Sequence, residues 1–590
     1  MKHALFAGLI CVVIFTSHGY VAAAPVSDYA ITNTFTFGFW STITGKYVGF
    51  EDLLRDMRRH SMNCLVAGPR LGTGTDAIEK LKRDVALCHR YGIYGVISTD
   101  AATGFDAEAL RMAATALKDD PMVLGWYIKD EPDPNFLPIF LERKTLLEEV
   151  SPGQPAVCLF YRPDSAELFS KYQPLILTDC YPLTYMHDGT SIGPYFANLT
   201  GSVLAKDLQR FNMWGNMGVL EWMDLCRVLT SLPHWVTLQA FGGGNDHMVR
   251  WREPTTPEIR LQTYLAIAGG AKGINYFYYM PITDDYGNAL PGVHGENAPL
   301  LGEIGRLGAE LTPMGPLFID AEVAEPATVI AELRPTPERG KGVETRRLHS
   351  KTRNIDYIIA FNKDVVVRSR AQINLSKSFL QGRNVYDMHT LGVVATEDWP
   401  GNITLSVELD PGEGKIICLA SAEDFKNCEQ IVLKGRCMNM ASILDMDFEL
   451  AQKSKVDVAE VISLRQKYQE QIDAENYPNA LSIIYQYDSA LKRAMRVDTE
   501  FAAVEKDIAY IKNMLGAMKV TGRIGDLYLR YHDYFMAGDA RVIRSQVETF
   551  RNMVEKIELV SRQKNELPDL TIYDKTISEL DQALQPESSN

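Results

Sequence analysis

The chain of 590 residues is predicted to be an α/β protein: a (β/α)8 barrel, then an antiparallel β-sandwich, then a C-terminal α-helical bundle. Three observations predict it. Between Thr34 and Met280 apolar strand-like runs alternate with amphipathic segments, the pattern of parallel strands joined by crossover helices. From about Leu317 to Leu419 the pattern becomes short alternating runs separated by turn residues, as antiparallel strands give. From Ile443 onward Gly and Pro are rare and apolar residues return at helical spacing. The expected divisions are a leader over 1–24, a barrel over 25–316, a sandwich over 317–424 and a helical domain over 425–590.

The leader carries Lys2, an apolar run from Ala4 to Phe15 and the small residues Val21 to Ala24, the layout of a cleavable signal peptide cut near Ala23. The expected location is therefore secreted or periplasmic. That apolar run is shorter than the about 20 residues of a spanning helix, so no membrane association is expected. A net charge of −15 without a basic stripe argues against nucleic acid as a partner.

Eight strand runs make up the barrel: Thr34 to Ser41, Met62 to Gly68, Ile93 to Thr99, Val123 to Asp130, Ala156 to Tyr161, Leu175 to Tyr181, Trp235 to Phe241 and Ile274 to Met280. The segment Asp76 to Tyr91 shows the helical pattern between them, with Ile78, Leu81, Val85 and Cys88 on one face. An eighth helix is expected over Ala298 to Leu311. A doubly wound sheet would carry a glycine-rich phosphate loop after its first strand, whereas Phe39-Trp40-Ser41-Thr42 stands there, and Gly72-Thr73-Gly74 is too weak a substitute. The sixth crossover, Pro182 to Pro233, is long enough to shape a cleft. In the sandwich the clearest runs are Asp356 to Phe361, Asn384 to Asp387 and Ile403 to Leu409. In the tail, Val458, Val461, Leu464 and Tyr468, then Leu481, Ile484, Tyr487 and Leu491, mark helix faces that could also dock a protein partner.

Of nine cysteines, Cys11 lies in the leader and the rest lack a repeated C-x-x-C spacing, so no zinc is expected. Cys64, Cys158, Cys180 and Cys418 read as buried small hydrophobes. Cys428 and Cys437, placed in a loop region, are candidates for a local disulfide. Asn198, Asn374 and Asn402 head glycosylation triplets.

Chemistry concentrates where strands end, because the loops after barrel strands form the reactive face. The fourth run closes Trp126-Tyr127-Ile128-Lys129-Asp130-Glu131-Pro132, placing two carboxylates there. Cleaving a glycosidic bond takes one carboxylic acid and a second carboxylate, and apolar walls with a neighbouring acid would raise the pKa of Glu131 enough to hold the proton. The alternative is that Asp130 and Glu131 only cap the next helix. Asp179, ending the sixth run with Tyr181 on the same face, is the second carboxylate of choice, at a separation expected to suit an inverting pair as well as a retaining one. Trp40, Tyr181, Phe241, Tyr276 and Tyr278 could offer flat faces to sugar rings. Glu221, Asp224, Asp284, Asp285 and Glu296 are reserve acids, and His187, His234, His247 and His294 lack metal-ligand spacing, so neither metal nor cofactor is expected.

The Lys129-Asp130-Glu131-Pro132 ending resembles the Asn-Glu-Pro motif of clan A glycoside hydrolases, (β/α)8 retaining enzymes. Glu258 to Tyr279 resembles their seventh helix and eighth strand, and Pro411 to Ile416 the last strand of the β-domain that often follows. The resemblance spans roughly Thr34 to Leu419 and implies a carbohydrate substrate, with Glu131 as acid/base. Two positions depart from it. Asp130 replaces the asparagine, and Gln239 stands where the family has its nucleophilic glutamate. The Asp130-Glu131 pair also resembles that of hexosaminidases in which the substrate's acetamide is the nucleophile. A non-catalytic carbohydrate-binding or scaffold protein is the remaining alternative, with Gln239 kept as a sugar-binding residue.

Overall fold

The structure is a computed structural model that describes residues 29–40, 50–74, 76–99, 106–185, 217–242, 250–251, 253–279, 298–325, 328–334, 342–518, 520, 522–564 and 567–584. The leader, most of the sixth crossover, His187, His247, His294, Asp284, Asp285, Glu296 and Asn198 lie outside the described residues.

Eight parallel strands close a barrel: β1 (Thr36–Trp40), β2 (Cys64–Arg70), β3 (Tyr94–Ser98), β4 (Val123–Asp130), β5 (Ala156–Phe160), β6 (Ile176–Cys180), β7 (His234–Gln239) and β8 (Gly273–Phe277). Each lies within one of the expected runs or overlaps it by most of its length. Alternate residues along the strands face the interior and the surrounding helices. Trp40, Cys64, Val66, Val96, Leu124, Val157, Leu177 and Trp235 fill the interior, while Phe37, Phe39, Val236, Leu238 and Ile274 face the helices. Gly38 is required in β1, since a Cβ there would stand 1.7 Å from the Cys64 carbonyl oxygen. The Ala77–Tyr91 helix buries Leu81, Val85 and Cys88 and stops at Gly92, whose φ of 61° ends the helical path.

Two antiparallel sheets follow. One holds β9 (Ala321–Ala324), β11 (Val343–Ser350), β12 (Asp356–Asn362), β18 (Gly414–Ala420), β14 (Asn384–Asp387) and β15 (Gly392–Val393) in that spatial order. The other holds β10 (Thr328–Arg334), β13 (Ser369–Ser376), β17 (Asn402–Leu409) and β16 (Glu397–Trp399). Period-two alternation divides β12 between two cores: Ile358 and Ala360 pack between the sheets, Tyr357, Ile359 and Phe361 against the barrel. The sandwich seats on the Thr256–Ala268 helix, where Gly414 lies under the Tyr264 ring and Arg260 donates to the Pro411 carbonyl at 3.1 Å.

The helical tail starts earlier than its apolar spacing predicts. A single helix runs from Ala422 to Lys453, so Cys428 and Cys437 are helical rather than in a loop. Nine residues along a helix rise about 13 Å, beyond the reach of a disulfide, and both side chains are buried thiols. The local bridge between them is therefore excluded. Gly435 allows this helix to lie directly on the turn at Pro313, whose Cα would be 2.6 Å from an added Cβ. The buried Arg58, on the helix after β1, donates to both the main-chain and side-chain oxygens of Asn439, at 3.1 and 2.9 Å, tying the tail to the barrel. No helix among the described residues is long and apolar enough to cross a membrane.

Candidate active site

β4 carries two register shifts, one against β3 at its start, where Gly95 pairs with Val123 but Val96 with Gly125, and one against β5 near its end, between Tyr127 and Lys129. These bulges break strict alternation, so Tyr127 lines the interior three residues after Leu124. Its hydroxyl donates to Asp130 Oδ1 at 2.6 Å. Glu131 follows with a φ of 45°, a left-handed conformation that a residue with a Cβ pays strain to hold and that clusters at functional sites. Its main-chain N–H is fastened to the Leu159 carbonyl of β5 at 3.1 Å.

This turn carries Glu131 past β5 to β6, where its carboxyl hydrogen-bonds the Asp179 carboxyl. Desolvation, then the charges of Asp179 and Asp130, then that hydrogen bond raise the Glu131 pKa well above the carboxylate range. Glu131 is itself exposed to solvent at the barrel mouth. Asp179 is buried and is also raised, by desolvation and by Asp130, although hydrogen bonds from Glu131 and Tyr181 oppose this. Two carboxyls in contact share a proton, because both cannot ionise at such a distance. One proton is therefore held between Glu131 and Asp179.

The wide carboxylate pair expected from the sequence is thus replaced by a contact pair. Strand counting places Asp179 two strands from Glu131 but does not register the left-handed turn at Glu131 that directs its side chain.

Aromatic rings wall the mouth beside these acids. Phe277, at the end of β8, meets Trp40 at 5.0 Å, Tyr181 at 5.7 Å and Phe241 at 5.1 Å between ring centroids, and stacks on Tyr278 at 4.2 Å. Tyr181 meets Phe241 edge-on at 5.0 Å. The peptide bond between Phe277 and Tyr278 is cis. Trp40, Tyr181, Phe241 and Tyr278 therefore join one aromatic group.

Two expected substrate-binding residues do not stand in it as such. Tyr276 points out of the barrel: it is fully buried, its hydroxyl lies 2.6 Å from Thr263 Oγ1, and its ring packs on Phe37. The parity of β8 decides this, since Asn275 and Phe277 take the inner face. Phe277 is the residue that sequence reasoning overlooked, and alternation from Ile274 would have found it. Gln239 is also withdrawn from any ligand. Its side-chain oxygen accepts from Leu183 N at 2.8 Å, and its amide donates to the carbonyls of Leu183 and Phe241 at 3.0 and 3.1 Å. It clamps the loop after β6 to the end of β7. Tyr127, holding Asp130, was missed as well, and no period-two reading of β4 could have revealed it.

Among the reserve acids, Asp224 is committed to ion pairs with Arg346 at 2.9 Å and Arg227 at 3.2 Å. Glu221, on the Met217–Leu229 helix, is close enough to act electrostatically on Cys180 of β6. His234 begins β7, far from the mouth, where Thr178 Oγ1 lies 2.7 Å from its Nε2 and burial drops its pKa to about 3. Among the described residues no three His, Cys, Asp or Glu side chains are grouped so as to hold a metal ion.

No family model matches the sequence, and no curated protein matches it. Solved structures resemble the chain at low identity. A glycoside hydrolase family 5 protein from Bacteroides vulgatus is 12% identical with a TM-score of 0.45, over 66% of this chain and 91% of its own. A family 39 glycoside hydrolase from Bacteroides cellulosilyticus is 11% identical with a TM-score of 0.39, over 66% and 81%. An α-amylase from Geobacillus thermoleovorans is 11% identical with a TM-score of 0.39, over 66% and 99%. At such similarity the functional reading rests on the geometry of the barrel mouth.

Proposed function

We propose that the chain is an exported glycoside hydrolase in which Glu131 is the general acid. The observation that supports this is the contact between Glu131 and Asp179 at the mouth, with Asp130 and the aromatic wall beside them. Glu131 holds the proton at neutral pH and delivers it to the leaving glycosidic oxygen. Asp179 accepts the hydrogen bond that keeps the acid oriented, and the Tyr127 hydroxyl orients Asp130. The aromatic rings exclude water and offer C–H-facing surfaces to a sugar ring.

The contact leaves no room for a ring between the two carboxyls, which stand about 5 Å apart in retaining pairs and farther in inverting ones. Asp179 thus works on the same side as the acid. This arrangement favours substrate assistance, in which a 2-acetamido group on the sugar attacks its own anomeric carbon and Asp130 or Asp179 accepts the amide N–H. Hydrolysis of 2-acetamido and 2-hydroxy glycosides should be compared for the wild type and Glu131→Gln. Activity that survives the substitution overturns the assignment of Glu131. Activity on 2-hydroxy glycosides alone removes substrate assistance but leaves the acid in place.

A second reading is a carbohydrate-binding barrel without turnover. It is favoured by Gln239, whose amide is fully used in holding backbone where a nucleophile would otherwise stand. Sugar binding without hydrolysis by the wild type would support it.

A further inference from the structure

The last sandwich strand and the first tail helix meet at a pair of thiols. Cys418 lies near the end of β18 and Cys428 two turns into the Ala422–Lys453 helix, both with no solvent exposure. The two thiols are close enough to interact with each other. The fixed surroundings hold them there. Tyr357, cross-strand neighbour of Cys418 in the β12–β18 ladder, brings its hydroxyl to 3.6 Å from Cys428 Sγ. Tyr386, the other cross-strand neighbour of Cys418, stacks at 3.7 Å on Phe425, one turn before Cys428 in the helix. Cys437, by contrast, directs its thiol to the Tyr477 carbonyl at 3.6 Å.

We propose that Cys418 and Cys428 are a redox site that closes to a disulfide, stapling the sandwich to the helical tail when the chain folds in an oxidising compartment. The co-reactant is a disulfide oxidant, either a protein disulfide or oxidised glutathione. The Cys428 thiolate attacks one sulfur of that oxidant, forming a mixed disulfide and releasing one thiol. Cys418 then loses its proton to solvent and attacks Cys428 Sγ, displacing the second thiol. Two protein thiols become one S–S bond, and the oxidant's disulfide becomes two thiols. Both sulfurs are inaccessible once the helix has docked, so exchange belongs to folding and the product is shielded from later reduction.

The full chain, prepared reduced, is refolded from urea with oxidised glutathione, alkylated and digested without reductant. The expected result is a Cys418–Cys428 cross-linked peptide that disappears on reduction, with a higher urea midpoint for the oxidised form. Recovery of both cysteines alkylated or glutathionylated overturns the proposal, as does cross-linking of Cys428 to any other cysteine. Cys437→Ser serves as a second test that leaves the pair intact. The cross-link should survive it unchanged, and its loss would likewise overturn the proposal.

Discussion

Gln239→Glu restores a carboxylate where a clan A barrel would carry its nucleophile, and the structure says what it would cost. The amide makes three bonds to main-chain groups and is fully buried. A carboxylate still accepts from Leu183 N but can no longer donate to the carbonyls of Leu183 and Phe241. Each buried acceptor left unpaired costs about 1–3 kcal/mol, so the substitution should destabilise the protein by about 2–6 kcal/mol. When protonated, the introduced carboxyl regains one donor and the cost falls to about half. Its folded-state pKa is thereby raised above the unfolded value, so this partial relief is present at low pH and is lost as pH rises through the raised pKa. Urea unfolding of the variant and the wild type at about pH 5 and about pH 8, followed by intrinsic fluorescence, measures both terms. Hydrolysis of aryl glycosides is assayed alongside. A variant as stable as the wild type at both pH values, with hydrolysis gained, would refute the reasoning and mark Gln239 as a vacated nucleophile seat.

Asp179→Asn should pull the basic limb of the kcat/KM profile to lower pH, because Glu131 loses the neighbouring negative charge that raises its pKa; an unmoved limb would remove Asp179 from that role. The same variant should gain stability on the wild type as pH rises. Asp179 has a folded-state pKa above its unfolded value of about 3.9, so the wild type's advantage is complete below that and is lost as pH climbs to the raised pKa. Urea midpoints across that window test it, and parallel curves for the two proteins would count against the raised pKa. Gly38→Ala should destabilise the barrel by about 3 kcal/mol, the upper range for overpacking, since its Cβ would overlap the Cys64 carbonyl. A thermal midpoint equal to the wild type's would show that β1 can shift. Tyr127→Phe should lower the rate of hydrolysis more than it lowers stability, because Asp130 loses the hydroxyl that orients it; a purely structural loss would leave kcat unchanged in the folded fraction.

Much of the scaffold was legible because burial imposes a period. Alternation identified every barrel strand, and the apolar spacing of Val458, Val461 and Tyr468 matched side chains that the helix Ala459–Asp473 and its cap bury. The spacing method failed at the Ala422–Lys453 helix, whose first half faces the sandwich on one side and the barrel on the other. Its apolar residues therefore carry no single stripe, and Cys428 and Cys437 were read as lying in a loop. Local pattern likewise misassigned Tyr276, which belongs to the outer face, and overlooked Phe277, which closes the mouth.

At the site, the sequence alone determined that Glu131 and Asp179 end parallel strands, because strand-end position follows from the length of each apolar run. That places both on the reactive face of any such barrel. What only the tertiary structure decided is that they touch and that Gln239 is spent on backbone. Both depend on side chains that barrel closure brings together from different strands and loops, and the composition of a single apolar run records none of these meetings.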